Sequence, residues 1–382
     1  MRQRNIVLHG LLAAALVAAV AGCGSSEKAA EAQNNTSDAA TATSAADLGG
    51  MDALIKAAQA EGQLNVITLP PDWANYGEII ETFSKKYNIK VNSDNPDGSS
   101  QDEINAVKSL KGQDRAPDVL DLGGAFAQSG AKEGLFANYK VATWADIPDS
   151  QKESGGAWYN DYGGYISIGC DAKKIPVCPT TFADLKKPEY KGKVALNGDP
   201  TKSGSAFAGV FAAALANGGS FTNIQPGIDY FAALKKSGNY IPVESTPATI
   251  EKGETPISID WDYLNAGYTK KLAEKGIDWK VAVPSDGIYG NFYCQAINKT
   301  APHPAAARLW EEFLYSDEGQ NLWLKGYARP VRLPKMSESG KADTALVAQL
   351  PKVEAKAEFP TTDQIDGAKK VLTDGWTKAL TG

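Results

Sequence analysis

Lys193-Val-Ala-Leu-Asn-Gly-Asp-Pro-Thr-Lys-Ser-Gly-Ser205, continued by Ala206-Phe-Ala-Gly-Val-Phe-Ala-Ala-Ala-Leu-Ala-Asn-Gly-Gly219, joins two kinds of pattern across one turn. Val194–Leu196 is a short apolar strand, residues 197–200 are a turn, and a helix apolar on every side opens near Ser203 or Ser205 and stops at Gly218. The first turn of a helix leaves backbone N–H groups unpaired and carries partial positive charge, so this start can hold a carboxylate, phosphate or phosphonate. Gly204 lets such a ligand come close. The same serines also read as a plain cap that accepts from the helix's own backbone, and both readings stay open at this point. Two enzyme readings of the stretch fail. A phosphate-binding P-loop needs Gly directly before Lys-Ser, and Thr201 stands there. A nucleophilic Ser205 needs an imidazole, and the histidines are His9 near the N-terminus and His303 between two prolines.

Working outward, 382 residues suffice for two domains with real cores. Charged residues at 22% and hydrophobic ones at 43% give the balance of a soluble globular protein. The formal charge of −6 becomes −8 once a leader carrying Arg2 and Arg4 is removed, which suits no nucleic-acid backbone. Residues 1–22 read as an export signal: two arginines, an apolar run from Ile6 to Val20, then small residues. That run is shorter than the roughly 20 residues of a spanning helix. Val20-Ala21-Gly22-Cys23 resembles the bacterial lipoprotein processing site, which implies an acylated Cys23 as the new N-terminus and an extracytoplasmic protein anchored to the cell membrane. More than one acyl chain would hold it durably, at roughly 0.8 kcal/mol per buried methylene. From Gly24 to Asp47 the chain is Ser, Ala, Thr, Asn, Gln and Glu without apolar periodicity, so residues 23–47 are expected to be an anchor and a disordered leash.

The folded part then alternates. Helices are expected at 51–61, 77–87, 101–110 and 125–132, and strands at 64–69, 89–92 and 118–122, the order of a mostly parallel sheet covered on both faces. Ligands of such sheets sit beyond the carboxyl ends of the strands, which singles out Asp72–Tyr76, with Trp73, Asn75 and Tyr76, and Gly123–Phe126, with Gly124 and Ala125. The aromatic-polar run from Trp158 to Cys170 holds Gly163-Gly164 and reads as a crossing between domains. Cys170 and Cys178 lie eight apart in an exported chain, so a disulfide between them or two separate buried thiols are the alternatives, with Cys294 left over as a small core residue. No cysteine spacing suggests zinc.

Further on, strand alternation over residues 256–262 puts Ile257, Ile259 and Trp261 on one face and Ser258, Asp260 and Asp262 on the other. Two acids on one face could take an ammonium or a metal, although Asp262 also reads as a helix cap. Trp310 and Phe313 sit at helical spacing in a core face, and Ser316 caps the next helix. The tail ends in an amphipathic helix from Asp363 to Leu380, expected to pack on one domain and to carry no chemistry.

Taken together, Asp72-Trp-Ala-Asn-Tyr76, Pro117-Asp-Val-Leu-Asp-Leu122, Phe182-Ala-Asp-Leu185 through Glu189-Tyr-Lys-Gly-Lys-Val-Ala-Leu196, and Ser316-Asp-Glu-Gly-Gln320 resemble, in order and spacing, an extracellular solute-binding protein of an ABC importer. The likeness runs from about Gly62 to Met336, to the branch that binds ferric iron, polyamines, thiamine or phosphonates. It implies an α/β, two-lobed periplasmic-binding-protein-like fold of type II, with a ligand cleft between lobes joined by crossing strands. Lobe 1 is expected to be 48–163 plus 264–325, and lobe 2 to be 164–263 plus 326–382. Ser203, Gly204 and Ser205 would line the second wall, with Asp260, Trp261 and Asp262 near the return crossing and Tyr289 in the region matching the tyrosines of iron-binding relatives. That region reads Tyr289-Gly-Asn-Phe-Tyr293 with no adjacent tyrosine pair, which lowers the case for iron.

Carboxylates and aromatics would suit a polyamine, and hydroxyls with a helix start would suit a phosphonate. A zwitterion, such as an aminophosphonate, would satisfy both walls. The resemblance thus implies a monomeric, non-enzymatic receptor with no cofactor, a small polar solute and a membrane permease as partners. An exported hydrolase using Asp260 and Asp262 is the competing enzyme class, and a surface adhesion or scaffold module is a third.

Overall fold

The computed structural model describes residues 38–354 and 359–381. The expected signal, Cys23 and the first part of the expected leash lie outside the described residues. The leash does not extend to Asp47. Residues 38–41 form a helical turn, and Ala39 and Ala42 are buried. The cause is far away in sequence: Arg308, 1% exposed, lies over the Tyr139 ring and donates to Ala42 O (2.9 Å) and Ala40 O (3.0 Å). A buried guanidinium needs acceptors, and a segment without apolar periodicity supplies them as carbonyls.

The first body opens with α1 (Met51–Glu61), β1 (Gln63–Ile67), α2 (Tyr76–Tyr87), β2 (Lys90–Asp94), α3 (Ser100–Ser109), β3 (Val119–Gly123), α4 (Gly124–Lys132) and β4 (Phe136–Ala137). Local chemistry sets their ends: Gly62 closes α1 in the left-handed region at φ 71°, and Ser99 with Asp102 forms a capping box on α3. The long β5 (Tyr159–Asp171) leads into a second body of β6 (Val194–Leu196), α5 (Gly204–Ala216), α6 (Gln225–Ser237), α7 (Pro247–Lys252), β7 (Ile257–Trp261), α8 (Asp262–Glu274) and β8 (Trp279–Ala282). The chain returns through β9 (Gly290–Asn298), α9 (Pro304–Leu314), α10 (Asp317–Lys325), β10 (Arg329–Pro330), α11 (Leu333–Glu338) and α12 (Thr344–Val347), and ends in α13 (Thr362–Thr381).

β5 serves both bodies. Residues 159–165 pair with β9, which also pairs with β3, and residues 166–171 pair with β7 and β8; β6 then lies beyond β7. The expected mostly parallel sheet is not found. Among the described residues only β1–β2 and β6–β7 pair in parallel, while β5 is antiparallel to each of its neighbours. Helical crossovers give parallel pairs within one lobe, but β5 and β9 traverse the boundary in opposite directions. The molecule is two-lobed α/β, as the resemblance implied.

Two lobe assignments change. Residues 264–282 belong to the second body, because β8 pairs with residues 168–171 and Asn265 of α8 donates to Ser167 Oγ at 2.9 Å. Residues 326–350 belong to the first, because Arg329 and Pro330 pair with Gly163 and Tyr162 and Met336 packs with Leu324. Pattern along the chain reports helix or strand, but not which sheet edge accepts the strand. Cys170 and Cys178 are joined in a disulfide and Cys294 is a buried free thiol. Trp310 and Phe313 are core, and Ser316 caps α10 by accepting from Gly319 N. No helix among the described residues is long and apolar enough to cross a membrane.

The crossing runs through Gly163-Gly164 for steric reasons. A Cβ at Gly163 would lie 2.6 Å from Asn291 O, and one at Gly164 would lie 2.5 Å from Asp262 Oδ1 and 2.6 Å from the Tyr263 ring. Gly164→Ala is therefore expected to cost about 1–3 kcal/mol in chemical denaturation, since backbone and ring must yield at the junction. Arg308→Met should lose about 2–4 kcal/mol, because Ala40 and Ala42 carbonyls lose their donors, and limited proteolysis should then cut near residues 38–44.

Candidate functional site

The lobes meet where two strand-to-helix turns face each other. β3 ends at Gly123 and passes directly into α4, while the turn after β6 passes through Pro200 into α5. A Cβ built on Gly123 would stand 3.5 Å from the Cα of Gly204, and the reverse distance is the same. Each lobe thus presents a helix start to the other with glycine at the point of approach, so the positive ends of two helix dipoles converge on one place. Gly123 gives α4 no side-chain cap, while Ser203 caps α5 by accepting from Ala206 N (3.3 Å) and donating to Asn197 O (2.9 Å). Of the two serines left open by sequence, Ser203 is the cap.

Around this point lies a cavity of about 410 Å³, counted with its open mouth. Lobe 1 contributes Gly123–Phe126, lobe 2 Pro200, Gly204, Phe207 and Trp261, and the crossing strand β9 contributes Asn291–Tyr293. The last helix, α13, adds Ile365 and Lys369. Among the described residues the wall has five aromatic rings (Phe126, Phe207, Trp261, Phe292 and Tyr293), no carboxylate and one cation. The indole N–H of Trp261, which is 2% exposed, makes no hydrogen bond of normal geometry; the Tyr293 hydroxyl is the polar group nearest to pairing with it.

Of the residues singled out in the sequence, Gly124, Ala125, Gly204 and Trp261 line this cavity. Trp73 stands one layer behind it: its ring packs edge-on against Tyr293 (5.6 Å between centroids), and its N–H donates to the Tyr162 hydroxyl at 2.6 Å. Asn75 turns away to Leu322 O (3.0 Å), with Ala74 and Asn75 both in the left-handed region (φ 45° and 72°). Tyr76 is fully buried against Trp323, and Tyr289 stacks on Phe211 at 5.1 Å. Ser205 is buried and donates to Asp260.

The pair Asp260 and Asp262 is not presented to a ligand. Asp260, fully buried, accepts from Ser205 Oγ, from Asn197 Nδ2 at 2.7 Å and from Trp261 N at 2.8 Å. Burial pushes its carboxyl up to about 7, against the lowering effect of those hydrogen bonds. Asp262 begins α8, accepts from Tyr165 N at 2.9 Å and pairs with Arg329. Both acids are satisfied inside the fold. A second polar layer behind the cavity links Asp121 to the Tyr162 hydroxyl (2.9 Å), and Asp161 to Gln295 (2.8 Å), with burial raising both acids, Asp121 to about 7. No cluster of three metal-ligating side chains occurs among the described residues.

Sequence reasoning missed Phe207 because it lies inside an apolar helix pattern that also describes a core. Phe126, Asn291, Phe292 and Tyr293 stood in stretches already marked, without being singled out themselves. Lys369 had no signal at all: it is one lysine on the amphipathic helix of a tail expected to pack on one domain.

A search of curated proteins finds no significant match. The solved structures similar to this chain are periplasmic binding proteins. P5PA is 20% identical, with a TM-score of 0.66 over 84% of this chain and 100% of its own. AfuA from Actinobacillus pleuropneumoniae, solved with exogenous fructose-6-phosphate, is 20% identical, with a TM-score of 0.63 over 83% and 99%. Iron-bound HitA from Pseudomonas aeruginosa is 21% identical, with a TM-score of 0.60 over 83% and 99%. These likenesses establish the two-lobed fold. The model of the bacterial extracellular solute-binding proteins matches residues 114–366, about two thirds of the sequence, and the chain belongs to that family.

Proposed function

We propose that this protein is the substrate-binding lipoprotein of an ABC importer, held outside the cell by acylated Cys23, that closes on a small solute bearing a phosphate or phosphonate group. Membership of a solute-binding family implies a small-molecule ligand and a permease partner. The observation that carries the anionic head group is the pair of opposed helix starts at Gly124 and Gly204 in a cavity lined by no carboxylate among the described residues. A cation such as a polyamine would meet two positive helix ends and no counter-charge, so the polyamine half of the sequence expectation is dropped. The aminophosphonate half is kept, and a sugar phosphate of the kind bound in AfuA joins it. Iron, the ligand in HitA, would find Tyr293 but neither carboxylate nor imidazole in the lining.

Binding rather than hydrolysis is favoured because Asp260 and Asp262, the acids of the enzyme alternative, already satisfy Ser205, Asn197 and Arg329. Closure follows from a ligand that touches both lobes and so stabilises their contact, with β5 and β9 as the bending strands.

Calorimetric titration with fructose 6-phosphate, 2-aminoethylphosphonate, spermidine, putrescine and thiamine tests the assignment. Heat is expected with one or both phosphorus compounds; heat with the amines alone would overturn it. Asp260→Asn should leave that binding intact and flatten the pH dependence of melting. The folded carboxyl holds its proton up to about 7 while the unfolded one releases it near the ordinary 3.8, so stability falls as pH rises through this window. Asparagine imitates the neutral acid and should remove the share of that fall due to Asp260, leaving the shares of Asp121 and Glu61, whose carboxyls are also raised to about 7.

A further inference from the structure

The last helix does not pack on one domain. Its buried residues Ile365, Ala368, Leu372 and Trp376 form a single stripe, and 20 residues give about 30 Å of length. The stripe lies on two bodies. At its start Ile365 reaches Gly124, where a built Cβ would be 3.9 Å from Cδ1, and Asp366 pairs with Lys132 of α4, both in lobe 1. At its end Gly375 meets Ile228, and Trp376 packs edge-on against Phe231 (5.7 Å) and Tyr240 (6.3 Å) in lobe 2. The helix therefore bridges the cleft mouth.

Lys369 sits between those two footholds. Its ammonium lies 3.4 Å from the centroid of the Phe126 ring, and it lines the same cavity as the two helix starts. Among the described residues it makes no ion pair with a carboxylate; Asp366, one helical turn back, is engaged by Lys132. Burial pulls its pKa down, with Asp366 opposing. A half-buried cation resting on an aromatic face, with no carboxylate paired to it among the described residues, is available to an anion that enters the cavity.

We propose that Lys369 is a specificity-determining residue of the cleft, supplied by α13 as a strap across both lobes, and that it pairs with a tetrahedral phosphate or phosphonate group held between the starts of α4 and α5. The inference rests on the anionic-solute reading above. Donors approach this point from lobe 1, from lobe 2 and from the strap, which suits the three terminal oxygens of a tetrahedral anion better than the two of a planar carboxylate.

The test compares wild type, Lys369→Met, Lys369→Arg and Lys370→Met by calorimetry with fructose 6-phosphate, 2-aminoethylphosphonate and inorganic phosphate. Lys370 is the exposed neighbour and controls for net charge. Lys369→Met should weaken binding by about tenfold or more, Lys369→Arg should recover most of it, and Lys370→Met should change it less than about threefold. The melting temperature of ligand-free Lys369→Met should fall only slightly, since the variant keeps the stem and loses one cation–π contact on Phe126. Amide exchange over residues 362–376 should slow on adding ligand to wild type and not to Lys369→Met. Equal affinity of wild type and Lys369→Met, or unchanged exchange in wild type, overturns the inference and leaves the anionic-solute reading standing. A wild type that binds none of the three removes both.

Discussion

Strand β5 is hydrogen-bonded to β9 through its first half and to β7 and β8 through its second, so one stretch of backbone is a sheet member of both lobes. A strand shared in this way cannot leave either sheet without breaking a ladder, and a change in lobe angle must be absorbed where its pairing passes from β9 to β7, between Tyr165 and Ile166, a few residues after a register shift between Asn160 and Gly163. The two glycines next to that shift have a steric role, since Asn291 O and the Asp262 carboxylate occupy the space their side chains would need. The cleft inherits its position from this junction. Gly123 lies across β9 from the crossing, Trp261 pairs with Ile166 just beyond it, and Tyr293 on β9 faces both.

The charge layout of the cleft follows from where the acids are spent. Asp121, Asp161, Asp260 and Asp262 lie close behind the aromatic wall, yet each is bound by hydroxyl, amide, backbone N–H or guanidinium groups of the fold. Burial without a full counter-charge favours the protonated form, and the raised carboxyls of Asp121 and Asp260 show that balance. The surface left facing the solute space has aromatic rings, two helix starts and an ammonium. Such a wall attracts anions at short range without any large positive field over an acidic protein.

Attachment of α13 to both lobes adds a constraint that a bare two-lobed clamp lacks. Its lobe 2 foothold is aromatic and deeply buried, through Trp376 and Leu372. Its lobe 1 foothold is lighter, made of Ile365 and an exposed ion pair of the kind worth little in water. Unequal anchoring of this sort makes the lobe 1 end the one to yield when the lobes part, and it is the end that carries Lys369 toward the ligand space.

Most elements of the fold were legible in local pattern. The helix Met51–Glu61, the strand Val194–Leu196, the all-apolar α5 and the caps at Ser316 and Gly62 needed only periodicity and turn chemistry. Half of the cavity was legible too, because a helix start with Gly204 and a strand end at Gly123-Gly124 are chemical signatures in their own right. The acids at 260 and 262 misled, since alternation shows which residues share a face but not that Ser205, Asn197 and Arg329 converge on that face from elsewhere. The packed segment at 38–47 was hidden for the same reason: its partner is a guanidinium more than 260 positions away. By itself the sequence determined the elements and the caps that end them, because these depend on neighbours within a few residues, and the two-lobed plan followed only from the likeness of its motifs to a known family. Tertiary structure alone decided which sheet edge each strand joins, which acids are spent inside, and that the final helix spans the cleft with Lys369 in its mouth, because those depend on contacts between residues that have no pattern in common.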